Sequence, residues 1–385
     1  MPWPTTDDLS SCMRRGFRWV PASAEELASP AVSCPSWPHP AKHCKNQTLH
    51  PHMTFQPAQR CRSTWSRAGL DRATISRALA GRTLRFIGDS ATLDHFRYFT
   101  RCLLNCSFQE MKPGPFELTE AMAEVLREVG FPQAVVAGAF HHIAISFAKD
   151  GFAHGCKLEN GGRVEFRRLN ALPETRRPPW PTLRIMAATM HTLLYLPNTT
   201  RLTERDIVVM NVGLHRTSEL PSLVSSMLRW WEGEKSAGRG PPQLFWRQTS
   251  PQHWPTSPEG IFRSLDDVKA TANSSCRAKT NEGATLRAAI LYDLNVSRVI
   301  REQALDFVHV IPTLLPTWMR ADDHPVLTAG ALPGKFTRSS GAIAKLQDCT
   351  HYCATGSSLR FWSHALVAWL QRLTAATWRE RGDAV

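Results

Sequence analysis

The stretch LRFIGDSATLDHFRYF, Leu84 to Phe99, changes character at one point. Leu84 to Ile87 is a short apolar run of strand length, while the residues after Ser90 place Leu93, Phe96 and Phe99 on one side of a helix. Gly88, Asp89 and Ser90 stand at the junction. A serine there lies at the carboxyl end of a strand and at the start of a helix, where backbone N–H groups can stabilise an oxyanion. Gly-Asp-Ser is also ordinary turn and N-cap chemistry, so the junction gains meaning only from the rest of the chain.

Working outward, the apolar runs LRFI (84–87), HHIAIS (141–146), IVVM (207–210), QLFWR (243–247) and FVHVI (307–311) recur with helical patterns between them. Such spacing predicts an α/β fold, a parallel sheet covered by helices on both faces, over residues 80–380. Open sheets of this kind carry their sites at the carboxyl ends of the strands. Residues 1–75 are rich in Pro, Trp, Ser and Cys and keep no sustained period. They read as an irregular, disulfide-stapled layer that packs on the core. Near the end, Leu359, Trp362, Leu366, Trp369, Leu370 and Leu373 fall at helical spacing, as expected of a packing helix.

A serine hydroxyl needs a base, and the base needs a carboxylate that fixes its tautomer and stabilises its charged form. LQDCTHYC, Leu346 to Cys353, offers both in Asp348 and His351, three residues apart. The order Ser90, Asp348, His351, with the last two adjacent, is typical of hydrolases of the SGNH or GDSL type. A competing reading makes Asp348, Cys349, His351 and Cys353 metal ligands. Ligands so close in sequence rarely close a tetrahedron alone, so no metal site is expected.

The 385 residues can bury a substantial core, and 42% hydrophobic with 21% charged residues describes a globular chain. The formal charge of +13 suits a polyanionic partner. No nucleic-acid motif accompanies it, so nucleic acid is not the expected partner, and the basic run RRLNALPETRR (167–177) reads equally well as loop charge. The ten cysteines are even in number and contain no CxxC pair, which favours disulfides. Of nine asparagines, five (Asn46, Asn105, Asn198, Asn273, Asn295) open an N-x-S/T sequon, where chance gives about one or two. Both features point to a secretory or lumenal protein. MPWPTTDDLSSCMRRGF shows no charged region followed by an apolar stretch, and no run approaches a membrane span, so a signal or anchor segment is expected upstream of this sequence.

Together these blocks resemble the trichome-birefringence-like proteins of the PC-esterase superfamily. The N-terminal part carries Cys12, GFRWVP (16–21), Cys34-Pro35, Cys44, FQPAQRC (55–61), LRFIGDS and Cys102-Leu103-Leu104 in the family's order. IVVMNVGLHR (207–216) and FWRQTSPQHW (245–254) follow, then SSC (274–276), IPTLLPTWMRADDHP (311–325) and DCTHYC (348–353). The chain departs from the family pattern at Ala91-Thr92-Leu93-Asp94 after the serine, at Tyr352 where a tryptophan is usual, and at Gly213-Leu214-His215-Arg216.

The resemblance implies an SGNH-like three-layer fold and a polysaccharide O-acetyltransferase of the Golgi lumen. Ser90 would be the nucleophile, His351 the base and Asp348 its partner. Oxyanion donors would be the Ser90 N–H, Gly213 or its neighbour and the Asn211 side amide, and Gly88 and Asp89 are counted with them as oxyanion or substrate-binding residues. Arg247 would hold the donor or acceptor, or form a structural pair with a carboxylate. His215, His253, Asp323 and His324 are weaker candidates for the cleft. By position, the family's disulfides would join Cys12 to Cys61, Cys34 to Cys102, Cys44 to Cys353 and Cys276 to Cys349, leaving Cys106 and Cys156 for a fifth bond. No cofactor is implied. The acetyl donor, with acetyl-CoA one candidate, is a substrate, and the acceptor is a polysaccharide, an acidic one being favoured by the charge. A carbohydrate acetyl esterase or a catalytically silent wall-binding protein would share most of these blocks.

Overall fold

The structure is a computed structural model and describes residues 12, 17–24, 34, 53–62, 70–106, 120–128, 130–133, 152–169, 182–195, 201–212, 220–255, 276–277, 295–303, 305–318, 320–328, 345–354 and 357–380. In chain order β1 (Phe17–Pro21) and β2 (Met53–Pro57) precede α1 (Arg72–Ala78) and β3 (Thr83–Gly88). Then come α2 (Ser90–Arg97), running on as a π-helical segment over Tyr98–Leu103, and α3 (Glu120–Glu128). They are followed by β4 (Phe152–Lys157), β5 (Arg163–Arg168), α4 (Thr182–Tyr195), β6 (Ile207–Asn211) and α5 (Leu220–Ser236). The rest is β7 (Gln243–Arg247), β8 (Val308–Ile311), α6 (Leu314–Thr317), β9 (Val326–Thr328), β10 (Lys345–Gln347) and α7 (Ser357–Glu380).

The main sheet has the order β4-β5-β3-β6-β7-β8, parallel throughout except for the antiparallel edge strand β4. Counted by appearance, its five parallel strands run 2-1-3-4-5. The order reverses between β3 and β6, and the crevice above their carboxyl ends is where such sheets bind ligands. Gly88 and Asn211 are register partners at that point.

Strand alternation divides the core in two. Leu84 and Phe86, Ile207 and Val209, and Phe245 pack with Phe96 of α2 and Leu359, Trp362 and Leu366 of α7. Ile87, Val208, Met210, Leu244 and Trp246 pack on the other face with α4 and α5. Burial on both sides is why these strands read as near-continuous apolar runs. Arg85 interrupts its run without disrupting it. Its guanidinium pairs with Glu165 of β5 at 2.7 Å and donates to the Leu193 carbonyl at 2.6 Å, closing the carboxyl end of α4. Burial beside Arg85 pulls the neighbouring Arg167 down to about 9.

Two expectations need correction. Residues 1–75 are not wholly irregular, because β1 and β2 form an antiparallel pair across the 31 residues 22–52. Trp19 and Phe55 from that pair pack on Phe361 of α7, at 6.0 and 5.4 Å between ring centres, and Trp19 Nε1 donates to the Pro316 carbonyl. The basic run starting at Arg167 is not all loop either: Arg167 and Arg168 end β5. The run HHIAIS lies outside the described residues.

The described disulfides are Cys12–Cys61, Cys34–Cys102, Cys106–Cys156 and Cys276–Cys349. Cys353 is also disulfide-bonded, while Cys44 lies outside the described residues. This many bonds fit an oxidising secretory or extracellular environment. Among the described residues, no helix is long and apolar enough to cross a membrane.

Candidate active site

Ser90 is the first residue of α2 and lies half-buried at the crevice. Asp89 caps the helix: its buried carboxylate accepts from the Ala91 N–H at 3.1 Å and the Thr92 N–H at 3.3 Å. The Ser90 N–H donates to no group among the described residues. Gly88 is dictated by close approach, since a Cβ there would run into the Asn211 carbonyl oxygen and the Thr92 side chain. The Ser90 hydroxyl makes no hydrogen bond to a described residue.

Asp348 and His351 form the expected pair. His351 Nδ1 lies 2.7 Å from Asp348 Oδ2, and the other carboxylate oxygen accepts from the backbone N–H of Thr350 and His351 at 3.1 and 3.2 Å. Both side chains are partly exposed. The acceptor at Nδ1 places the imidazole proton there and leaves Nε2 as the basic nitrogen.

Two segments clamp this turn. On one side, following β7, the His253 N–H donates to the Cys349 carbonyl, and the Pro251 carbonyl accepts from the Tyr352 hydroxyl at 2.9 Å. Gln252 Nε2 and Trp254 Nε1 both donate to the Thr350 hydroxyl, at 3.0 and 2.8 Å. On the other side, the Pro325 carbonyl accepts from the Asp348 N–H and the Asp323 carbonyl from the Cys353 N–H, both at 2.9 Å. The Cys276–Cys349 bond adds a covalent tie, and the Cys276 N–H donates to Gln347. Gln252, Thr350, Trp254 and Pro325 were not singled out from sequence. Their signal was their place inside the blocks SPQHW (250–254), DDHP (322–325) and DCTHYC (348–353), which also hold His253, Asp323, His324 and His351.

Asn211 and Arg247 both have partners within the fold. The Asn211 amide donates to the Arg247 carbonyl at 2.8 Å and the Thr249 hydroxyl at 3.2 Å, so both its hydrogens join β6 to the end of β7 instead of facing an oxyanion. Arg247 is fully buried. Its guanidinium lies over the Trp362 ring and donates to the Thr92 hydroxyl at 3.2 Å, beneath the serine helix. Gly213 and His215 lie outside the described residues.

Of the sequon asparagines, Asn105 is exposed with φ 50° and Asn295 is half-buried; Asn46, Asn198 and Asn273 lie outside the described residues. Cys349 and Cys353 are both disulfide-bonded, so their sulfurs are not the thiolates that a metal reading of this turn requires. Both Ser90 and the Asp348–His351 turn sit at the carboxyl edge of the sheet. Tyr352 reaches Trp362 at 5.2 Å, Trp362 meets Arg247, and Arg247 binds Thr92, a continuous path from one to the other. In comparisons with known proteins, no family model and no curated protein matches the chain.

Proposed function

We propose that the chain is an SGNH-type serine O-acetyltransferase of the secretory pathway, of the trichome-birefringence-like kind, which moves acetyl groups onto a polysaccharide in the Golgi lumen. The observation that carries this reading is the Asp348–His351 pair, clamped at the edge of the sheet where Ser90 opens a helix. His351 Nε2 removes the Ser90 hydroxyl proton as the oxygen attacks the acetyl carbonyl. The Ser90 N–H receives the developing oxyanion, with a second donor supplied from the segment around Gly213. The leaving group departs with the proton from His351, and acetyl-Ser90 forms. A sugar hydroxyl then gives its proton to Nε2 and attacks the acetyl carbon, and Nε2 passes that proton to the departing Ser90 oxygen, yielding an acetylated sugar and free Ser90. The formal charge of +13 favours an acidic acceptor such as glucuronoxylan or pectin.

Kinetic partition tests the reading. With xylan or pectin oligosaccharides present, acetyl is expected on sugar at a rate exceeding acetate release, and Ser90→Ala is expected to abolish both. Acetate release that ignores every sugar would make the protein an esterase. No turnover in folded protein with any donor would favour a binding role.

A further inference from the structure

His253 and His324 lie behind the Asp348–His351 turn, both without solvent exposure. Their rings meet, His253 Nδ1 standing 2.7 Å from His324 Nε2. Each outer nitrogen faces a backbone carbonyl: His253 Nε2 faces that of Trp318 at 2.9 Å, and His324 Nδ1 faces that of His351. A carbonyl only accepts, so each outer nitrogen carries a hydrogen. Two neutral imidazoles then have no hydrogen left for the contact between them, and two lone pairs would meet at hydrogen-bond distance. Three N–H groups are needed where a neutral pair supplies two.

We propose that His253 and His324 share one additional proton and act as a positioning pair, holding the carbonyl of His351 and so fixing the direction of its imidazole. The inference rests on the reading of His351 as the transfer base. The Tyr352 ring lies against His324 at 4.5 Å between centres, offering a π face to the charge. The Asp348 and Asp322 carboxylates favour charge on His324, and a protonated His351 opposes it. Asp323, next in the chain, is buried and engaged with the Ser358 N–H, with the Arg320 guanidinium nearby. Arg277, on the segment whose N–H donates to the His253 carbonyl, is exposed. Burial is the largest influence on His324 and lowers it to about 4 even with these carboxylates beside it. Against it stand three hydrogen bonds that only the protonated pair completes. The charge is therefore present at low pH and lost as pH rises, and its loss removes one of the three bonds and loosens the turn.

The test uses folded, ring-¹⁵N-labelled full chain, with the acetyl-transfer rate measured across pH on the same preparation. The four ring nitrogens are expected to carry three hydrogens and to lose one in a single shared titration. Through that titration the transfer rate is expected to fall about tenfold per pH unit. His324→Asn, whose amide can donate to the His351 carbonyl without the extra proton, is expected to keep the low-pH rate within a few-fold and to lack the alkaline fall. Should that variant fail to fold, His253→Gln, whose amide can donate to the Trp318 carbonyl, is read the same way. Two hydrogens in total wherever the wild type is folded and active would overturn the proposal, as would an alkaline fall unchanged in the variant. Absence of any acetyl-Ser90 would sink the transfer reading instead, while the nitrogen count on the same sample would still decide the pair.

Discussion

The Arg247 guanidinium lies 4.5 Å from the centre of the Trp362 ring, fully buried, and thereby joins the last helix to the serine helix through its bond to Thr92. A planar fork serves both contacts at once, which an ammonium cannot. Arg247→Lys is expected to lower unfolding free energy by roughly 2 kcal/mol and to slow transfer. Urea denaturation beside initial rates checks it; wild-type values for both would show that the stack contributes nothing.

Asp348 fixes the proton of His351 on Nδ1. Asp348→Asn is expected to reduce kcat by about 10³–10⁴-fold with little change in KM, because the imidazole would present the wrong tautomer to Ser90. A loss confined to KM would mean that Asp348 binds sugar instead.

Cys276 and Cys349 close a span of 73 residues. Replacing both with serine is expected to cost about 4 kcal/mol, chiefly by freeing the unfolded chain. Because Cys349 lies inside the turn, activity at temperatures where the variant is still folded should also fall. Thermal unfolding by circular dichroism, set against activity at the same temperatures, separates the two effects.

Asp323 is raised by burial to about 6, against 3.8 for the free side chain, with Arg320 opposing. The folded state therefore keeps a proton that the unfolded chain has released across this window. Stability from this group declines as pH rises from about 4 to about 6, by about 3 kcal/mol, and is level above. Asp323→Asn retains an acceptor for the Ser358 N–H and should flatten that slope. Unfolding free energies measured at intervals between pH 4 and 7 decide this, and an unchanged slope in the variant would refute it.

The strands beneath the site were legible because both faces are buried: QLFWR is β7 residue for residue, and IVVM and LRFI fall within β6 and β3. β5 escaped because Arg163, Glu165, Arg167 and Arg168 make RVEFRR look like solvated loop; one of them, Glu165, answers Arg85 across the sheet. The β1–β2 pairing escaped because its strands are far apart in sequence and too short to show a period. At the site, the spacing of Asp348 and His351 announced their contact. The tasks of Asn211 and Arg247 did not show, since an amide's partners and an arginine's burial are set by residues distant in the chain.

The most direct measurement is the mass of the disulfide-intact protein, and of its Ser90-containing peptide, after a brief exposure to an acetyl donor without acceptor sugar. The account predicts one acetyl group on Ser90, absent in Ser90→Ala and chased onto oligosaccharide when sugar is added. Transfer that proceeds at full rate in Ser90→Ala, or acetyl found only on other residues, would contradict it.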